Sequence, residues 1–122
     1  MKLHLTTAQN QNLITAYGDG FIAVNQQRYN SNIIVMPDKL IADWIIGGFS
    51  DLDAGHFEQI AHLKPEVVLL GTGEKHQFLH PKMTQALSDI HISVEYMSTA
   101  AACRTYNILM AEGRQVAAAL LV

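Results

Sequence analysis

Arg104 stands among alanines and aliphatics in the run from Thr99 to Met110. A charged side chain in such surroundings needs a partner. At helical spacing, Ala100, Arg104, Asn107 and Ala111 share one face. An arginine beside an amide can hold a carboxylate or phosphate through parallel N–H donors. The alternative is an arginine that reaches out to water or bonds a structural carboxylate such as Glu95 or Glu112. Further back, Gly71-Thr72-Gly73-Glu74-Lys75 has the composition of an anion-cradling loop, with glycines for a backbone N–H nest and a lysine nearby. It lacks the third glycine and the immediate helix of a dinucleotide fingerprint, since position 76 is His and a helix opens only near Pro81. It also lacks the Gly-Lys-Ser/Thr ending of a Walker loop. A tight strand-to-loop turn needs the same glycines. Gly71, Thr72, Gly73, Lys75, Ser98, Thr99, Arg104 and Asn107 together form a candidate anion or partner site. No residue is assigned a catalytic role.

The remaining reactive side chains offer less. Cys103 lies next to Arg104 and near a helix start, which would lower its pKa, yet no His follows His91. It is expected to be a small buried hydrophobe. His76 and His80 are four apart, but Pro81 spoils the helix that would make them a metal pair. His56 and His62, six apart, do not share a helical face. No metal and no cofactor is expected. Asp51 and Asp53 resemble a carboxylate pair, and helix capping accounts for Asp53. Trp44 is expected in the core.

These residues depend on the elements that carry them. Leu13–Tyr17 and Phe21–Val24 flank Gly18-Asp19-Gly20, which predicts a hairpin. Asn25-Gln26-Gln27-Arg28 predicts a second turn. Ser31–Met36, ended by Pro37, and Ile41–Ile46, ended by Gly47-Gly48, read as strands. Asp53 caps the first helix, with Leu52 and Phe57 at hydrophobic-staple positions. Phe57, Ile60, Ala61 and Lys64 share a face, and Pro65 stops the helix. Glu66–Leu70 is a strand covered on both faces. Pro81 opens a second helix with Met83, Ala86, Leu87 and Ile90 as its stripe. Ile92–Met97 is a strand. Ser98 or Thr99 caps a third helix that runs to about Glu112, with Gly113 as its left-handed terminus. That helix is apolar almost all round and is expected to be largely buried. Gln115–Leu121 is the last strand. The pattern is an N-terminal hairpin or meander followed by a βαβαβ unit. It predicts an α/β fold, a single three-layer domain over residues 1–122 with a central mixed β-sheet. The loops after Glu66–Leu70 and Ile92–Met97 then share the carboxyl edge, where such sheets bind ligands.

Composition narrows the function. The chain has 122 residues, 49% hydrophobic and 16% charged, enough for one self-sufficient core. A net charge of −3 with only 8 Lys plus Arg argues against nucleic-acid binding. One cysteine excludes an internal disulfide and fits a reducing compartment. Met1 to Leu13 has no apolar signal core, and Val116–Val122 is too short to span a membrane.

The stretches Leu69-Leu70-Gly71-Thr72-Gly73-Glu74, Met97-Ser98-Thr99-Ala100-Ala101-Ala102-Cys103-Arg104-Thr105-Tyr106-Asn107-Ile108-Leu109 and Glu112-Gly113-Arg114-Gln115-Val116-Ala117-Ala118-Ala119-Leu120 are more specific than any of this. Here the chain resembles the family of small, mostly uncharacterised domains that includes the mitochondrial complex I assembly factor 3. The resemblance spans nearly the whole chain and is strongest from Glu66 onward. It implies a single three-layer domain with a mixed sheet and without established catalysis. For the mitochondrial members it implies a role in assembling the membrane-linked respiratory complex through protein partners. Gly71, Thr72, Gly73, Thr99, Arg104, Thr105, Tyr106 and Asn107 carry the motif over. The chain departs from the family in lacking a targeting extension, which suggests a bacterial or already-mature protein. It also departs at His80, where relatives often have proline. The expected reading is a non-enzymatic interaction module, cytoplasmic or peripheral to the inner membrane, with respiratory subunits or assembly factors as partners. The competing reading is a small-molecule or anion site, enzymatic or sensory, at the same sheet edge.

Overall fold

Two turn signals govern the first half of the chain. The computed structural model, which describes residues 11–45 and 47–122, folds this half into hairpins. β1 (Ile14–Gly18) and β2 (Phe21–Val24) pair antiparallel across Asp19-Gly20, with Gly20 at φ +73. β3 (Gln27–Tyr29) pairs with β2 across Asn25-Gln26. Both turn residues have positive φ, 52 and 71, the geometry whose twist suits a two-residue hairpin. The turn expected over 25–28 is therefore only two residues long, and Gln27 already belongs to a strand.

β4 (Ile33–Met36) and β5 (Lys39–Ile41) form another hairpin across Pro37-Asp38. The strand expected over Ile41–Ile46 ends at Ile41. Asp43 takes φ +54, which breaks the extended run. Asn32 then captures the segment. Its amide donates to the Ile45 and Gly47 carbonyls at 3.1 and 2.7 Å, and its own carbonyl accepts from the Trp44 N–H at 2.8 Å. Ile46 lies outside the described residues, as does most of the N-terminal stretch read as free of a targeting signal. Trp44 is buried, edge-on to Phe57 and His56.

α1 (Ala54–His62) starts as its sequence dictates. Asp53 accepts from the His56 N–H at 3.3 Å, and His56 Nδ1 accepts from the Asp53 N–H at 3.0 Å. Such a cap contributes about 1 kcal/mol. Leu52 and Phe57 are buried beside it, as a staple requires. Lys64 is not on the helix: it sits beyond the C-terminus at φ +56, before Pro65.

The second helix differs most from expectation. Pro81–Thr84 is a 3-10 turn, followed by a single α turn, α2 (Gln85–Ser88). The tighter 3-10 winding brings residues three apart onto one line. Thr84 and Leu87 are buried, whereas Ile90, expected in the stripe, lies beyond the helix end at Ser88 and is exposed.

The 13-residue α3 (Thr99–Ala111) is capped by Ser98, whose Oγ accepts from the Ala101 N–H at 3.2 Å. Gly113 closes it at φ +82. It is not buried all round. Ala102, Cys103, Tyr106 and Met110 face inward, while Ile108 is 60% exposed. One helix on one sheet face can bury only one stripe, whatever its composition.

β6 (Val67–Gly71), β7 (Val94–Met97) and β8 (Val116–Leu120) complete a five-stranded sheet in the order β5-β4-β8-β6-β7. β8 is parallel to β6 and antiparallel to β4, and β7 is parallel to β6. The sheet is mixed, as expected. The first three strands, however, form a separate sheet, β1-β2-β3. Leu69, Val116, Ala118 and Leu120 pack with α3 and that small sheet on one face. Val68, Leu70, Ala117 and Ala119 pack with α1 and Leu87 on the other. Three layers result. The alanines of β8 leave room for close packing above and below it.

Candidate functional site at the carboxyl edge

Parallel pairing of β6 with β7 and β8 brings the Gly71–Gly73 loop against the start of α3. There the two loops lock together. The Gly73 N–H donates to Thr99 Oγ1 at 2.8 Å, and the Thr99 N–H donates to the Gly73 carbonyl at 2.9 Å. Thr99 Oγ1 donates in turn to the Leu121 carbonyl at 2.6 Å. The Leu121 N–H donates to the Gly71 carbonyl at 3.0 Å. Gly71 is required by this approach: a Cβ on it would stand 2.9 Å from Thr99 Cα and 3.1 Å from Leu120 Cδ2. Gly73 is required by its φ of +89. Thr72 is buried. Its N–H donates to the Met97 carbonyl at 2.8 Å, its hydroxyl donates to the Lys75 carbonyl, and it accepts from the Gln77 N–H at 3.2 Å. The N–H groups of Thr72 and Gly73, which would have formed an anion nest, bond the protein itself.

The Arg104-Thr105-Tyr106-Asn107 stretch is a clasp on the N-terminal strand. In an antiparallel pair, alternate residues turn both backbone groups outward. Ile14 does so at the free edge of β1, and Asn107 takes both groups. Its Oδ1 accepts from the Ile14 N–H at 3.0 Å and its Nδ2 donates to the Ile14 carbonyl at 2.8 Å. The Tyr106 hydroxyl donates to the Asn12 carbonyl at 2.7 Å. Burial, with the Asp38 carboxylate adding to it, holds the Tyr106 phenol well above its usual range, so it remains a donor. Arg104 Nη1 donates to the Tyr17 hydroxyl at 3.0 Å. Arg104 is exposed and bonds neither Glu95 nor Glu112. The helix thus grips Asn12, Ile14 and Tyr17 in succession.

Between these two fastenings lies a cleft of about 600 Å³. Tyr17, Gly18, Asp19 and Gly20 of the first hairpin form one wall, and Gly73, Glu74, Ser98, Thr99 and Ala100 form another. Of the residues singled out from sequence, Gly73, Ser98 and Thr99 line it. Gly71, Thr72, Lys75, Arg104 and Asn107 do not. The Gly18-Asp19-Gly20 wall is readable from sequence only as a turn, because nothing local shows that α3 holds β1 with this turn beside the carboxyl ends of β6 and β8.

Cys103 is fully buried. Burial pushes its thiol up to about 12, against the opposing pull of Arg104. The thiol therefore stays protonated at every pH below that value in the folded chain. A thiol-reactive dye at pH 8 should label Cys103 slowly and only at the rate of unfolding, and label it fast in denaturant. Rapid labelling of the native protein would show an accessible thiolate. His76 stacks on Phe78, with ring centroids 4.6 Å apart, and His80 caps the 3-10 turn by accepting from the Lys82 N–H. Neither is joined to a cluster of three metal-ligating side chains among the described residues.

The sequence and the fold resemble those of known proteins. The family described as "Protein of unknown function (DUF498/DUF598)" matches residues 14–121. The NADH dehydrogenase [ubiquinone] 1 alpha subcomplex assembly factor 3 of Mus musculus is 33% identical over 110 residues, 88% of this chain and 59% of that protein. The chain thus spans about 59% of the length of this relative. The 13 kDa major membrane protein of Francisella tularensis is 30% identical over 107 residues, 86% of each chain. A crystal structure of a Bordetella parapertussis protein superimposes with a TM-score of 0.85 at 46% identity, covering 91% of this chain and 95% of that one.

Proposed function

The chain belongs to the DUF498/DUF598 family, and from that membership we propose that it is a non-enzymatic protein-interaction module serving the assembly of a membrane-linked respiratory complex. One observation carries the reading. The polar side chains of the motif bond the protein's own backbone: Thr72, Thr99, Tyr106 and Asn107 fasten loops and the edge strand. They build a shaped surface and present no nucleophile–base pair of the kind a reaction requires. The assembly-factor name of the mouse relative supports the kind of partner. No helix among the described residues is long and apolar enough to cross a membrane.

The test is deletion of the gene in its host, with membrane complexes resolved by native electrophoresis. The expected result is loss of the assembled NADH dehydrogenase complex and accumulation of a partial one, restored by the wild-type chain. An intact complex in the deletion strain would overturn the proposal.

A further inference from the structure

We propose that the carboxyl-edge cleft receives a basic, apolar-flanked segment of a protein partner, a Lys or Arg side chain entering between Asp19 and Glu74. This rests on the interaction reading above and names the chemistry of its partner.

The argument begins with the charges. Asp19 and Glu74 are the charged side chains in the lining, one on the hairpin wall and one on the Gly73 loop. No Lys or Arg among the described residues lines the cleft. Both carboxylates are exposed, and neither enters an ion pair among the described residues. Two like charges held across a cleft with low-dielectric walls raise the local concentration of the opposite charge. Lys75, the cation that would have favoured an anion, lies outside the lining. Arg104 also lies outside it and is tied to the Tyr17 hydroxyl. The Gly73 N–H is already bonded to Thr99. The site is therefore built for a cation.

The walls say what carries that cation. Ala100, Leu121, Val122 and the Tyr17 ring supply apolar surface. The volume of about 600 Å³ falls within the roughly 300–1,000 Å³ that accommodates a ligand of drug size. A bare amine would leave this apolar surface wet. A side chain with an aliphatic stem and apolar neighbours would cover it while its charged head meets the carboxylates. Two exposed carboxylates give a modest, salt-screened attraction, as suits a transient assembly contact.

The experiment uses the whole chain and two end-blocked, dye-labelled five-residue peptides, Ala-Leu-Arg-Leu-Ala and Ala-Leu-Glu-Leu-Ala. Binding is read by fluorescence anisotropy, and location by amide shifts in the NMR spectrum. The arginine peptide should bind at least about tenfold more tightly than the glutamate peptide and should shift Gly20, Gly73 and Ala100. Asp19→Asn with Glu74→Gln should remove that preference at unchanged melting temperature. Ala100→Leu, which fills the cleft without changing charge, should weaken binding by about tenfold or more, and Glu58→Gln, which removes one carboxylate from the exposed face of α1 outside the lining, should leave it unchanged. Raising the salt from 50 to 500 mM should weaken the arginine peptide selectively.

Equal binding of the two peptides, shifts outside the cleft, or no binding of the arginine peptide at millimolar concentration would overturn the proposal. So would tighter binding of the glutamate peptide that Arg104→Ala abolishes, which would mark an anion site. Equal binding of arginine amide alone would overturn the peptide assignment. If the gene deletion blocks complex assembly while the Asp19→Asn, Glu74→Gln chain restores it fully, the cleft inference fails and the interaction reading survives.

Discussion

Replacing Asn107 with alanine should destabilise the chain by about 2–4 kcal/mol, a large fraction of the stability of a domain this size. The amide closes both backbone groups of Ile14, at 3.0 and 2.8 Å. Truncation leaves an N–H and a carbonyl without partners at a site where Ile14 itself is buried. Each orphaned group costs about 1–3 kcal/mol, less where water can reach it. For a domain of this length the loss should lower the melting temperature by roughly 10 °C. Two controls separate the clasp from simple loss of packing. Asn107→Asp keeps an acceptor for the Ile14 N–H but sets a carboxylate against the Ile14 carbonyl, so it should be as damaging as alanine near neutral pH. Hydrogen exchange should speed up most at Ile14, whose N–H loses its acceptor, and more than at the β8 amides, which lose only the protection set by global stability. A change below 0.5 kcal/mol would show that the bidentate contact is not holding β1.

Asn107 also shows what the sequence could and could not reveal. Its place on a helix face with Arg104 was legible from spacing. Spacing leaves open an external carboxylate or phosphate, water, or a structural carboxylate such as Glu95 or Glu112 as what this face meets, whereas the polar groups that Asn107 meets belong to the backbone of a strand 93 residues away. Backbone groups leave no trace in side-chain patterning. The same blindness explains the hairpin wall of the cleft: Gly18-Asp19-Gly20 announces a turn but not the destination of that turn.

Elsewhere, local rules were enough. Asp53, Ser98 and Gly113 stop and start helices where capping chemistry says they should. The parallel β6, β7 and β8 core followed from short apolar runs between helices. The failures have two causes, a tertiary capture that overrides local preference and a helix that ends early. Asn32 draws in the Trp44–Gly47 segment that reads as a strand. The helix after Pro81 stops at Ser88, so Ile90 falls outside the stripe that sequence spacing extends to it.

Thr99→Val should cost about as much as Asn107→Ala, about 2–4 kcal/mol, although it conserves shape. Thr99 Oγ1 is one atom serving two backbones: it accepts from the Gly73 N–H at 2.8 Å and donates to the Leu121 carbonyl at 2.6 Å. A methyl in its place fills the space and satisfies neither. Thr99→Ser retains the hydroxyl and should lose no more than about 1 kcal/mol, which isolates the hydrogen bonds from the packing. The damage should be local as well as global. The Gly73 amide resonance should shift and its exchange should accelerate beyond the general loss of protection, because its acceptor is gone, while the Ile14 amide resonance stays in place. Thr99 and Asn107 stand eight residues apart on one helix, roughly 12 Å at about 1.5 Å per residue, and share no bonding partner. Their losses should therefore add to within about 0.5 kcal/mol. Additivity would mean that the carboxyl-edge latch and the β1 clasp are independent fastenings, each setting one wall of the cleft. A coupling above about 1 kcal/mol would mean that both walls move as one body with α3. Variants that loosen either fastening would then reshape the whole cleft.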